Sequence, residues 1–126
     1  MSFDIIKGWG RELIFADTPE YCGKLLIFDK AGNKCSFHFH LKKDENWFVA
    51  QGSFELHWID TETGDRHMKI IKKGEDWHNP PGLPHRLVAL EDNSIVFEVS
   101  TQDDEDDSLR IEGGDNQIKP NTVNQE

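Results

Sequence analysis

The sequence predicts an all-β fold, a sandwich or barrel of short strands, on three observations. Short runs rich in β-branched and aromatic residues recur along the 126-residue chain. Clusters of Gly, Pro, Asn and Asp separate them at regular spacing, and no stretch carries the 3.6-residue period of an amphipathic helix. The length corresponds to one domain and suffices to bury a core without staples.

Taken in order, Phe3 to Arg11 ("FDIIKGWGR") reads as an edge segment leading into the fold, followed by the apolar run Leu13-Ile14-Phe15 and a turn at Asp17 to Glu20. Tyr21 to Asp29 is a strand closed by the turn "DKAGN". Lys34 to His40 is the next strand. Its alternation puts Ser36, His38 and His40 on one face and Cys35, Phe37 and Phe39 on the other, which is expected to pack against a second sheet. Asn46 to Gln51 and Ser53 to Asp60 are strands meeting at Gly52, where a bulge or tight turn suits a residue without Cβ. "TETGD" is a hairpin turn, Arg66 to Ile71 returns, and Glu75 to Asn79 is short. "PPGLP" stiffens the approach to His85, and the strands His85 to Glu91 and Ile95 to Thr101 are joined by "EDNS". The count comes to about eight to ten strands. A single barrel domain over residues 1–113 and a polar tail over 114–126 are the expected organisation.

The net charge of −10 opposes nucleic acid and anionic membranes as partners, since both require basic surface. From Asp103 onward eight acids face two bases, so the preceding body is only mildly acidic and can hold a small anionic substrate with local lysines and arginines. The start, "MSFDIIKGWG", has neither the apolar run of a signal peptide nor that of a membrane span, which points to a cytoplasmic protein. Cys22 and Cys35 lack the spacing of a zinc site and make a poor disulfide framework, so two buried thiols are expected.

The stretch Gly32 to Gly52 ("GNKCSFHFHLKKDENWFVAQG") concentrates the chemistry. His38 and His40 share a strand face, and the carboxylate of Glu45 follows a turn-like "LKKDE". A second stretch, "GEDWHNPPGLPH", adds His85 behind a rigid Pro-Gly turn that lets it reach across the barrel. Three imidazoles and a carboxylate form a mixed nitrogen–oxygen set suited to one divalent transition metal (Zn, Mn, Fe, Ni, Co or Cu) rather than to Ca or Mg. Four such ligands in an octahedral site leave two adjacent positions for substrate oxygens or water. His57 and His67 on adjoining hairpin strands are expected to find solvent or cross-strand partners, and His78 is a candidate for the barrel mouth. Trp47, Trp58 and Trp77 are expected in the core or the barrel wall, where one of them is free to stack on a sugar ring.

These stretches resemble the two motifs of the cupin superfamily. The first, G-x5-H-x-H-x4-E-x6-G, falls on Gly32, His38, His40, Glu45 and Gly52; the second, G-x5-P-x-G-x2-H-x3-N, falls on Gly74, Pro80, Gly82 and His85, with Ala89 in place of the asparagine. The resemblance implies a double-stranded β-helix, or jelly-roll, barrel with His38, His40, Glu45 and His85 as metal ligands. "GWGRE", "CSFHFHLKKDENWFV" and "FEVSTQDDEDDSLRIEGGD" further resemble the mannose-6-phosphate isomerase-like cupins, including the small domain attached to mannose-1-phosphate guanylyltransferases. In that group glutamine is frequent where His38 stands, and arginine is usual where Lys43 stands.

The resemblance implies a metal-dependent enzyme of sugars or sugar phosphates that moves a proton between adjacent carbons. Glu98, inward in the alternation of "VFEV", is either the base or a partner that orients a ligand histidine. Lys42, Lys43 and Arg86 are available to neutralise a phosphate, and Lys43 joins Glu98 as a candidate catalytic residue. The acidic run Asp103 to Asp107 reads as a solvated loop or as the cap of a helical turn. A metal-dependent dioxygenase and a non-catalytic carbohydrate or ligand binder are the competing classes, because cupins host both. The family implies a homodimer, for which the exposed sheet edge and the N-terminal "FDII" offer a strand-exchange surface.

Overall fold

The computed structural model describes residues 3–115. Among them are eleven strands: Phe3–Lys7 (β1), Gly10–Asp17 (β2), Cys22–Phe28 (β3), Phe37–Phe39 (β4), Glu45–Gln51 (β5), Ser53–Ile59 (β6), Arg66–Lys72 (β7), Asp76–Asn79 (β8), His85–Ala89 (β9), Ser94–Ser100 (β10) and Leu109–Glu112 (β11). A 3₁₀ turn, Glu105–Asp107, links β10 to β11, and no described helix is long and apolar enough to cross a membrane. The strands pair antiparallel in two sheets, a jelly roll of six strands in the order β1-β2-β3-β10-β5-β8 and five in the order β11-β4-β9-β6-β7.

The inward rows of these strands divide the interior into a dry half and a polar half. In β3 the inward row runs Phe28, Leu26, Lys24; in β10 Ser94, Val96, Glu98; in β5 Val49, Trp47, Glu45. Pairing aligns Leu26 with Val96 and Val49 on one rung and Lys24 with Glu98 and Trp47 on the next. The facing sheet repeats the gradient: Phe54 pairs with Ala89, Leu56 with Leu87, and Trp58 with His85. Phe28, Val49, Phe54, Leu56, Leu87 and Val96 are fully buried and close the dry end. Trp9 stacks on Phe28 with ring centroids 4.4 Å apart, and Phe28 meets Phe54 edge to face. Side chains of this size each contribute about 1.5–3 kcal/mol by leaving water, enough to hold the sheets together around a polar end.

Several local expectations need correction. The strand expected over Lys34 to His40 is regular only at Phe37–Phe39, because Lys34 makes an isolated bridge to Val88 and Asp115 accepts the Lys34 N–H. Phe37 is buried not against a second sheet but under two guanidinium groups, Arg66 and Arg86, at 5.1 and 5.5 Å from its ring centre. The "FDII" segment does form an edge, strand β1, with Phe3 opposite Ile14 through Lys7 opposite Gly10. Gly52 sits at φ +77°, where a Cβ would meet Ser94 Oγ at 2.2 Å, so the corner that carries the chain from one sheet to the other requires glycine. Gly114 and Asp115, placed in the tail by sequence, are fitted against the approach to β4: a Cβ at Gly114 would lie 2.3 Å from the Cys35 carbonyl carbon, and Asp115 binds Asn33 and Lys34. The rest of that tail, 116–126, lies outside the described residues.

Candidate metal centre

The polar half of the barrel brings His38, His40 and His85 together, with one ligand atom from each within 4.8 Å of the others. His38 is the middle residue of the short strand β4, and His85 begins β9 as its direct cross-strand partner. His85 therefore arrives from the adjacent strand and not from across the barrel. The "PPGLP" turn brings it there: the Gly82 N–H donates to the His40 carbonyl at 2.6 Å, tying the turn to the histidine strand. Glu45, at the start of β5 in the other sheet, places Oε2 3.2 Å from His85 Nε2 and Oε1 3.7 Å from His40 Nε2.

The hydrogen bonds of the three rings fix their tautomers. Nδ1 of His38 lies 2.9 Å from the Ser36 carbonyl, Nδ1 of His40 3.0 Å from the Asp107 carbonyl, and Nδ1 of His85 2.8 Å from the Leu83 carbonyl. A carbonyl only accepts, so each Nδ1 carries the proton and each neutral ring keeps a lone pair on Nε2. Burial, with the neighbouring His85 and His40 rings, pushes His38 down to about 3, and burial also lowers His40. Burial pulls Glu45 up, but its charged surroundings, the Lys43 ammonium at 3.3 Å among them, hold the carboxyl below its ordinary range.

His85 Nε2 is buried without a hydrogen bond, and Glu45 Oε1 has none besides its ion pair with Lys43 at 3.3 Å. Leaving a buried polar atom unsatisfied costs roughly 1–3 kcal/mol. Neutral Nε2 lone pairs beside an ionised carboxylate are the donor set that a divalent transition ion satisfies, so the residues fit the group that the sequence implied. Asn79 steadies the carboxylate: its Nδ2 donates to Glu45 Oε2 at 3.0 Å while its Oδ1 accepts from Trp77 Nε1 at 2.7 Å.

Glu98 and Lys43, the two candidate catalytic residues, meet at 2.9 Å beside this cluster, and both are buried. Glu98 Oε1 accepts from Trp47 Nε1 at 3.0 Å. The Lys43 ammonium lies 3.3 Å from Glu45 Oε1 and 2.9 Å from Asp103. Burial lowers the lysine pKa, but Glu98, Glu45 and Asp103 more than reverse this and hold Lys43 above its usual range. An ammonium so matched is not a spare cation for phosphate. Arg86 is likewise occupied, by the Cys35 and Gly113 carbonyls and Glu112, and Lys42 lies outside the main cavity.

Sequence reasoning missed Lys24, whose ammonium joins Glu12, Asp103 and Glu98 at 3.5, 3.3 and 3.9 Å. The available signal is its place in the inward row of an otherwise apolar strand, where a lysine must be paired. Asp103 and Asp107 are also engaged with the barrel instead of solvated, whereas Asp104 does cap the 3₁₀ turn by accepting the Asp106 N–H. Among the remaining histidines, His57 bonds Glu55, His67 stacks on Trp58, and the exposed His78 bonds Asp44 instead of facing the cavity. Trp47 lines the cavity, while Trp58 and Trp77 pack against the core. Cys22 and Cys35 are buried free thiols, and burial pushes Cys35 up to about 11.

A cavity of about 630 Å³ opens over the cluster between β1, β2 and the segment leading to β11. Seven carboxylates and four cationic side chains line it. Lys24 and Lys43 are consumed by carboxylates, leaving Lys7 and Arg110 as the wall cations without an ion pair among the described residues.

Two facing antiparallel sheets enclosing a histidine triad and a carboxylate define a cupin, and a sequence profile of the cupin family matches residues 26–124. The chain belongs to this family. Its sequence is similar to that of oxalate decarboxylase OxdC of Bacillus subtilis strain 168, 29% identical over 97 residues, which cover 72% of this chain and 24% of that protein. The chain thus spans about a quarter of the length of this curated relative. Among solved structures, oxalate decarboxylase from Bacillus subtilis superposes with a TM-score of 0.77 at 20% identity, covering 87% of this chain and 30% of that one. KdgF from Halomonas sp. gives a TM-score of 0.64 at 27% identity, with coverage of 76% and 81%. The capsular polysaccharide assembling protein CapF from Staphylococcus aureus gives 0.76 at 20%, covering 89% and 34%. At 20% identity, the likeness to oxalate decarboxylase and CapF structures concerns the fold alone.

Proposed function

We propose that this chain is a metal-dependent cupin enzyme acting on a small sugar, with His38, His40, Glu45 and His85 holding one divalent transition ion. The observation that carries the reading is the set of three clustered, carbonyl-anchored imidazoles, two of them with Nε2 within 4 Å of the buried Glu45 carboxylate, at a cavity lined by His38, His40 and Glu45. Such an ion, when bound, polarises a substrate oxygen and leaves adjacent coordination positions open. The relative OxdC supports the metal assignment, since structural work on that enzyme concerns its Mn(II) centres.

The reaction class we infer is proton transfer between adjacent carbons, an aldose–ketose isomerisation. Glu98 is the cavity-lining carboxylate assigned to move the proton, and Lys43 holds it in place through the 2.9 Å ion pair. The excess of carboxylates around the cavity favours a neutral polyol over a phosphate ester; a phosphate would have to be met by Lys7 and Arg110. The 29% identity to OxdC favours, as a second reading, decarboxylation of a small dicarboxylate.

Elemental analysis of purified wild type and His40→Ala tests the metal. Stoichiometric metal in the first and none in the second is expected, and equal metal in both would remove the ligand assignment. Metal-loaded protein is then assayed with mannose, mannose 6-phosphate and a panel of aldoses and ketoses, and for carbon dioxide release from oxalate. Isomerisation reduced about 100-fold by Glu98→Gln at unchanged metal content supports the first reading. No aldose–ketose interconversion, with release from oxalate, replaces it with the second.

A further inference from the structure

The segment between β10 and β11 is strongly acidic, yet its aspartates are not spread through solvent. Asp107 is buried, and its carboxylate accepts three successive backbone N–H groups, from Leu41 at 2.8 Å, Lys42 at 3.1 Å and Lys43 at 2.9 Å. These amides belong to the loop between β4 and β5, where no sheet partner is available to them. A row of consecutive N–H groups forms a concavity that suits an anion. The backbone carbonyl of the same residue accepts from His40 Nδ1. Four residues earlier, Asp103 holds the Lys43 ammonium at 2.9 Å, which itself lies 3.3 Å from Glu45 Oε1.

We propose that Asp107 and Asp103 are positioning residues for the metal centre. The acidic segment acts as a strap that sets His40 and Glu45 from outside their own strands. This rests on the reading of His40 and Glu45 as ligands. Asp107 fixes the loop that follows His40 and, by seating its own carbonyl against Nδ1, selects the tautomer that leaves Nε2 open. Asp103 fixes Lys43 and through it the carboxylate of Glu45. Capping of the 3₁₀ turn does not explain these bonds, because Asp104 already performs it. Partners that orient a ligand imidazole typically contribute 10- to 100-fold in metal affinity.

Two measurements on the full chain test the strap. Co(II) affinity is obtained by chelator competition for wild type, Asp107→Ala, Asp107→Asn, Asp103→Asn and Asp106→Asn, alongside the melting temperature of each metal-free protein. Long-range ¹H–¹⁵N NMR of the metal-free protein reads the His40 tautomer directly. Expected are an Nδ1–H tautomer in wild type, a mixed population in Asp107→Ala, and a loss of Co(II) affinity of about 10- to 100-fold in that variant. Asp107→Asn, whose amide oxygen still accepts, should lie between, Asp103→Asn should weaken binding through Glu45, and Asp106→Asn should match wild type. Co(II) affinity unchanged in Asp107→Ala, or lowered equally in Asp106→Asn, would overturn the proposal. If Asp107→Ala does not fold, Asp107→Asn carries the same comparison. Wild type that binds no Co(II) but shows the Nδ1–H tautomer, lost on substitution, would remove the metal reading and leave the positioning of His40 standing. An Nε2–H tautomer in wild type would remove the positioning claim itself.

Discussion

Lys42 and Lys43 are adjacent, identical in chemistry and opposite in role. Lys42 is exposed, whereas Lys43 is 5% exposed and lies within 3.3 Å of carboxylate oxygens of Glu45, Glu98 and Asp103. Truncating a buried ion strands its partners in a low-dielectric site, which costs far more than the pair contributes relative to an apolar replacement. We expect Lys43→Ala to destabilise the protein by about 3–5 kcal/mol in urea unfolding. Lys42→Ala should stay within about 0.5 kcal/mol of wild type. Equal effects of the two substitutions would contradict the buried network. Strand alternation does not separate these lysines, since both stand in a polar turn, and only the family resemblance singles out the position of Lys43.

At the scale of elements, the acidic segment is where sequence reading and structure diverge most. The four candidate ligands are legible because two histidines at i and i+2 share a strand face, and the glycines and prolines around them mark turns. Their second layer is not legible, because it is assembled from contacts distant in sequence: Lys24 meets Asp103 across 79 positions. Only the fold brings the β3 strand and the segment after β10 to the same end of the barrel. The ion pairs of Asp103 have a consequence for acid stability. Burial raises its pKa, but the Lys43 and Lys24 ammoniums outweigh burial and hold the carboxyl below its ordinary value. A carboxyl with a lower pKa in the folded state binds fewer protons there than in the unfolded chain. Its stabilisation is therefore present above the ordinary aspartate pKa of about 3.9 and is lost as pH falls through the folded value. Asp103→Asn should cost on the order of 1–2 kcal/mol at pH 7 and flatten the decline of stability between about pH 5 and pH 3. Thermal melts across that range check it; parallel curves for wild type and variant would show that Asp103 titrates no differently on folding.

For the whole molecule, the barrel's inner surface is consumed by core and site, and its outer surface holds one face unlike the rest. On the outside of the six-stranded sheet, the row Leu13, Leu25, Phe97, Phe48 crosses four adjacent strands, and the next row continues as Gly23, Val99, Asn46, with Phe15 at the β2 bulge over Gly23. Neither row contains a charge, in a chain of which 30% is charged and whose net charge is −10. The Phe15 ring lies over Gly23, where a Cβ would approach it to 2.6 Å, and meets Phe97 edge to face with centroids 6.5 Å apart. Phe15, Phe48, Phe97 and Val99 remain 45%, 48%, 42% and 58% exposed. At 150–250 Å² per aromatic side chain, these four alone present roughly 300–400 Å² of apolar surface. That is a fitting centre for a face of about 800 Å² per partner, with Asp4 and Asp76 at the two ends of the first row as its polar rim. Two strongly acidic copies can approach closely only through a charge-free face, and a two-fold axis through this one joins like to like. We therefore expect a homodimer through the sheet face, and not by exchange of the N-terminal strand, whose hydrogen bonds are made within its own chain. Phe97→Asp places a carboxylate at the centre of each copy's face and should convert the dimer to monomer in sedimentation equilibrium at micromolar concentration. Removal of residues 1–7 should leave the dimer intact. A wild type that sediments as a monomer, or a Phe97→Asp variant that stays dimeric, would rule this face out.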